Sequence, residues 1–312
     1  MDPGECLTLL ASCLAMGIAL EPLPPKPGCV SRYRDFEDKK LSDFVVCSHL
    51  ATPFLRSAII DGVRGEPRVG LRIREIVESC IRVTGRNVCL GSSILIASIA
   101  TGLGTYISTK PTDLDVHSIL RFARGAVYSS SVEDSIELYR AIRLASPSYV
   151  KPSDRVGAPN VWSSAFEEEL RRGGWTLARV LEDAASRDLV AREVIEGFPR
   201  TMRALEVIES SPSVEEGCVR AFIDALSRDV DTVVARKRGT DLAKRIQLIA
   251  MKVARGEASA EELDRLLVEE RVTPGSVADI VAAASSLWAL RRIWEAYQDR
   301  IKLCIMKILD RC

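Results

Sequence analysis

From Thr84 to Lys110 the chain reads TGRNVCLGSSILIASIATGLGTYISTK, and no charge occurs between Arg86 and Lys110. A helix that is apolar on every side must be covered on every side, so this run predicts a central helix over Ser92–Leu103 with other helices packed around it. Its approach is polar. Gly85, Asn87 and Gly91 interrupt it, so backbone amides and the Asn87 side chain can face a cavity while Ile94, Leu95, Ile96 and Ile99 hold the helix in the core. Elsewhere the apolar positions recur with helical period and nowhere alternate as in a strand. Helices are predicted over Gly4–Leu20, Leu41–Asp61, Val69–Val83, Val116–Tyr128, Val132–Leu144, Trp175–Phe198, Val214–Ser227, Asp241–Arg255 and Ser259–Glu269, with a long final helix after Thr273. The predicted class is all-α, a single large multi-helix bundle over residues 1–312 around the buried central helix.

Several interruptions in this pattern carry chemistry. Glu21 to Gly28 (EPLPPKPG) cannot be helical, and its prolines fix an extended path that presents Lys26, followed by the charged run Arg32, Arg34, Asp35, Glu37 and Asp38. Lys151–Asn160, with Pro152, Gly157 and Pro159, reads as a linker or lid. Arg187, Asp188, Arg192 and Glu193 fall three to five residues apart, the spacing of a surface ion-pair ladder. Asp229 and Asp231 precede Arg236, Lys237, Arg238 and Gly239. Carboxylates at that spacing suit a magnesium ion and the cations suit a polyphosphate, although a charged helix end has the same composition. Pro274 opens the final helix, and Asp279 lies in its second turn.

Composition narrows the partners. The 43 basic and 43 acidic residues cancel, so no net positive field draws nucleic acid or an anionic membrane. Cys6–Leu20 is apolar but is preceded by Asp2 and Glu5 rather than by basic residues, which argues against a signal peptide. Val88–Thr109 is long enough to span a bilayer, yet it is rich in Gly, Ser and Thr, and both segments read as core helices. Nine cysteines without a CxxC pair, and only two histidines, predict reduced, packed thiols in a cytoplasmic protein. Neither His49 nor His117 sits in a catalytic pattern, and P-loop, Rossmann and HExxH motifs are all lacking. Asn and Gln occur twice each, the composition of a heat-adapted protein, which makes Asn87 in its glycine-flanked loop conspicuous.

Four stretches together resemble the triphosphoribosyl-dephospho-CoA synthase family. They are Pro25-Lys26-Pro27-Gly28 with the run to Asp38, Gly85-Arg86-Asn87 to Gly91, Asp231 to Gly239, and Pro274 to Asp279; Ser131–Pro147 and Ala185–Phe198 look like its archaeal branch. The resemblance implies an all-helical enzyme that moves the ribosyl triphosphate of ATP to the ribose 2′-hydroxyl of dephospho-CoA, with magnesium, releasing adenine. By that analogy Lys26, Arg236, Lys237 and Gly239 hold phosphates and Asp229 and Asp231 hold magnesium. Asn87 orients ribose or acceptor, and Asp38 or Asp279 is base or charge stabiliser. The loop departs from the bacterial pattern Thr-His-Lys/Arg-Gly, reading Val88-Cys89-Leu90-Gly91, and Phe36 stands near the place of a second family histidine. These departures admit a different acceptor, or a catalytically silent nucleotide-binding protein. If the assignment holds, at least four of Lys26, Asp38, Asn87, Asp231, Arg236 and Asp279 should line one pocket.

Overall fold

A computed structural model describes residues 2–109, 111, 113–148 and 157–309. The chain begins with α1 (Pro3–Leu20), α2 (Leu41–Arg64), α3 (Val69–Thr84), α4 (Leu90–Ser108), α5 (Val116–Tyr128) and α6 (Val132–Ala145). Shorter helices follow: α7 (Phe166–Gly173), α8 (Leu177–Ala184), α9 (Leu189–Glu196), α10 (Pro199–Glu209), α11 (Val214–Arg228) and α12 (Thr232–Arg238). The chain closes with α13 (Thr240–Ala254), α14 (Ala260–Glu269), α15 (Gly275–Ala296) and α16 (Gln298–Leu309). Among the described residues there is no strand, and the all-α expectation is met.

The uncharged run forms α4, and every residue from Ser92 to Gly104 is buried. Helices α2, α3, α5 and α15 pack around it. The approach of α2 is close enough to require glycine on both helices. A Cβ on Gly104 would lie 2.0 Å from the Ile59 carbonyl oxygen, and one on Gly62 would lie 2.0 Å from that of Thr101. Two buried hydroxyls within α4 find partners in the preceding turn: Ser98 donates to the Ile94 carbonyl (2.8 Å) and Thr101 to that of Ala97 (3.0 Å). By length and composition α1, α2 and α4 could each cross a membrane, but 89% of the α4 window is buried inside the protein.

Local signals set several helix starts. Asp2 with Glu5 and Ser131 with Asp134 form capping boxes for α1 and α6. The structure departs from expectation after residue 160. Trp175–Phe198 is two helices, because Asp188 accepts the Ala191 amide (2.9 Å) and starts α9 afresh. The supposed ladder dissolves with it: Glu193 is fully buried, where it accepts the Thr201 amide (2.7 Å) and pairs with Arg200 (3.2 Å). Helices α7, α10 and α12 were not predicted, and the final helix breaks at Tyr297. Of the expected linker, residues 151–156 lie outside the described residues.

Candidate active site

A cavity of about 470 Å³ opens where the end of α1, the loop from Pro22 to Lys39, and the starts of α4, α12 and α15 meet. Asp38, Asn87, Lys237 and Asp279 line it, together with Glu21, Lys39 and Arg86. The expected polar entrance to the central helix therefore does face a cavity. Asn87 accepts the Leu90 amide on its Oδ1 (3.3 Å), so its side chain both starts α4 and borders the space.

Asp279 is the most constrained of these groups. Its carboxylate lies against the first turn of α4, where it accepts the Ser92 amide. Glycine at position 91 makes the room: a Cβ there would stand 1.9 Å from Asp279 Oδ2. Burial pushes the Asp279 carboxyl well above its ordinary range, and the neighbouring carboxylates Glu21, Asp231 and Asp188 add to this against the Ser92 hydrogen bond. A second cavity of about 150 Å³ shares Leu90, Gly91, Val233 and Asp279 with the first. It is largely apolar, with Ile94, Leu138, Ile142 and Leu181 in its walls and Asp188 and Arg236 at its polar side. Asp279 thus stands in the partition between a polar and an apolar space.

The loop that carries Asp38 is built by tight turns, with bridges between Ser31 and Arg34 and between Phe36 and Lys39. It is fastened from the far end of the chain. The Gly28 amide donates to Asp264 Oδ1 (2.8 Å), Arg34 pairs with the same carboxylate (2.8 Å to Oδ2), and Thr273 Oγ1 donates to the Gly28 carbonyl (2.9 Å). Asp38 itself is exposed at the cavity edge. Across the opening, partial burial and the Lys39 ammonium push the Lys237 ammonium below its ordinary value. Two crowded cations beside an enclosed space favour an anionic ligand.

Other expected residues lie elsewhere. Lys26 is fully buried and pairs with Glu21 (3.0 Å) while donating to the Glu21 carbonyl, so it holds the proline turn to the end of α1 rather than reaching a phosphate. Asp231 is 1% exposed and lines neither cavity. Its Oδ1 accepts the Val234 amide (2.9 Å) and its Oδ2 the Val277 amide (3.0 Å), which clamps the start of α12 to the start of α15. Burial outweighs these amides and pushes its carboxyl up to about 6. Asp229 is bound bidentately by Arg200 (2.9 and 3.1 Å). The expected magnesium pair is therefore not brought together on a cavity wall. Arg236 pairs with Asp188 (3.4 Å) beside the smaller cavity, and Gly239, exposed and with φ of 97°, lies between α12 and α13. Of the six residues expected to converge, Asp38, Asn87 and Asp279 line the larger cavity, one short of the four required, and Lys237 joins them.

Glu21, Lys39 and Arg86 are the lining groups that sequence reasoning missed. Glu21 read only as the stop of the first helix. Its position before the Pro-rich turn, which folds back over the cavity, was the available signal.

The sequence profile of CitG: ATP:dephospho-CoA triphosphoribosyl transferase matches residues 8–298. Among curated proteins, none matches the chain. A crystal structure from Archaeoglobus fulgidus, assigned as a triphosphoribosyl-dephospho-CoA synthase, superposes with a TM-score of 0.60 at 22% identity, covering 79% of this chain and 97% of that one. At that identity the superposition speaks for the fold.

Proposed function

We propose, from the premise that this chain belongs to the ATP:dephospho-CoA triphosphoribosyl transferase family, that the larger cavity holds ATP and that Asp279 is the base for the acceptor hydroxyl. The observation that carries this reading is the place of the Asp279 carboxyl in the wall common to both cavities, with its proton affinity raised. A carboxylate with raised proton affinity takes a proton from a hydroxyl more effectively than an ordinary one.

In this reading the ribose 2′-hydroxyl of dephospho-CoA attacks C1′ of the ATP ribose. The new C1′–O bond forms as the C1′–N9 bond breaks and its electron pair leaves with adenine; the hydroxyl proton passes to Asp279, adenine takes one proton from solvent at N9, and Asp279 returns its own to solvent. Positive charge building on the ribose is met by the carboxylates of Asp279 and Glu21. Lys39 and Lys237 face the triphosphate, and Asn87 positions the ribose. Asp38, a hard oxygen donor on the cavity wall, is the residue that would hold a magnesium ion carried with ATP, in place of Asp229 and Asp231. The ion supplies neutralisation of triphosphate charge. The smaller cavity suits the apolar arm of the acceptor.

Val88 and Leu90 border the larger cavity, and this favours one second reading, the same transfer to a different acceptor. The cancelling charge fits small-molecule partners rather than nucleic acid, and the eight cysteines among the described residues, all free thiols, fit a cytoplasmic setting. Adenine release from Mg-ATP, measured with and without dephospho-CoA, tests the assignment. Acceptor-dependent release, reduced roughly 10²–10⁴-fold in Asp279→Asn, is expected. Release only with another nucleoside acceptor would establish the second reading, and no release with any acceptor would sink both.

A further inference from the structure

Three thiols that the sequence keeps apart meet beneath the larger cavity. Cys47 on α2, Cys80 on α3 and Cys89 at the start of α4 place their Sγ atoms within 4.8 Å of one another, and all three are buried. One turn beyond Cys89, the fully buried Ser93 hydroxyl stands beside the Cys89 thiol. Simple packing accounts for a buried thiol, but it does not account for three, from three separate elements, gathered within 4.8 Å of one another.

We propose that Cys47, Cys80 and Cys89 bind one zinc ion, with the Ser93 hydroxyl as fourth donor. Tetrahedral zinc with Zn–S bonds of about 2.3 Å sets sulfurs about 3.8 Å apart, so the thiols need close by about 1 Å at most. Zinc is favoured over a monovalent soft cation by charge: three thiolates leave a single negative charge around a divalent ion and two around a monovalent one, and the site is dry. Each thiol loses its proton to solvent on binding, and no oxidant takes part. Cys89 is flanked by Val88 and Leu90, both on the cavity wall, so the ion would pin the loop that carries Asn87.

The full chain, stripped with chelator under reductant, is titrated with Co²⁺ and then Zn²⁺. One cobalt per chain with near-ultraviolet sulfur-to-metal charge-transfer absorption, displaced by one zinc, is expected. Cys80→Ser should lose more affinity than the roughly 10–100-fold that supporting residues cost, while Cys13→Ala, an equally buried thiol elsewhere on α1, keeps it. The wild-type spectrum is decisive even where Cys80→Ser fails to fold. Absence of the charge-transfer band, equal loss in both variants, or a disulfide among the three thiols that forms in air despite saturating zinc would each overturn the proposal.

Discussion

Asp279 and Asp231 are both enclosed carboxyls with raised proton affinity, yet they stand in opposite relations to stability. Unfolded, Asp279 ionises near 3.8, whereas in the folded protein it keeps its proton well beyond that. As pH rises from the unfolded value towards the folded one, the unfolded chain releases a proton that the native state holds, and stability falls. Asp279→Asn removes that loss. It is expected to melt above the parent at about pH 8 and to converge with it near about pH 4, while its transferase activity collapses; thermal melts across this range check it, and a lower melt at high pH would contradict it. Asp231 has its two oxygens committed to amides on two helices. Asp231→Ala orphans both, and a loss of about 2–3 kcal/mol in urea unfolding is expected. Adenine release per folded molecule should persist, since the residue borders neither cavity.

At the scale of elements, the crossing of α2 and α4 is set where the two backbones touch at Gly62 and Gly104, at the ends of the helices away from the cavity. Gly104→Ala drives a methyl into a backbone oxygen that cannot rotate away, and a loss of about 1–3 kcal/mol or more is expected in the same assay; a neutral outcome would mean the helices are spaced wider. Helix α4 was legible because an uncharged run of that length has one physical solution, complete burial. The break between α8 and α9 was not, because aspartate serves equally as a helix cap and as a rung of an ion-pair ladder, and Asp188 turned out to be the former. Asp229 and Asp231 hid the same ambiguity. A carboxylate followed by cations describes a metal-phosphate site and also a capped short helix with a basic last turn; in α12 the Asp231 carboxylate is the cap, while Lys237 of the last turn lines the larger cavity. Asn87 and Asp279 were found because each adjoins a helix start, where free amides and a missing side chain leave space. Glu21 and Lys39 needed tertiary folding to become neighbours of that space.

Across the whole molecule, the loop bearing Asp38 depends on residues more than two hundred positions away. Replacing Asp264 by Ala frees both Gly28 and Arg34. The Arg34 and Asp264 side chains are partly exposed, so the fold should persist, but KM for ATP should rise several-fold with a smaller change in kcat. Unchanged KM would show that the loop holds its shape unaided. The fastening has a consequence for the protein's birth. A ribosome releases Gly28 long before Asp264 and Thr273 are made, so a nascent chain can bury α4 between its early neighbours while the loop bordering the larger cavity has nothing to close on. Activity is therefore a property of the finished chain, and a cell cannot obtain a partial transferase from a truncated message.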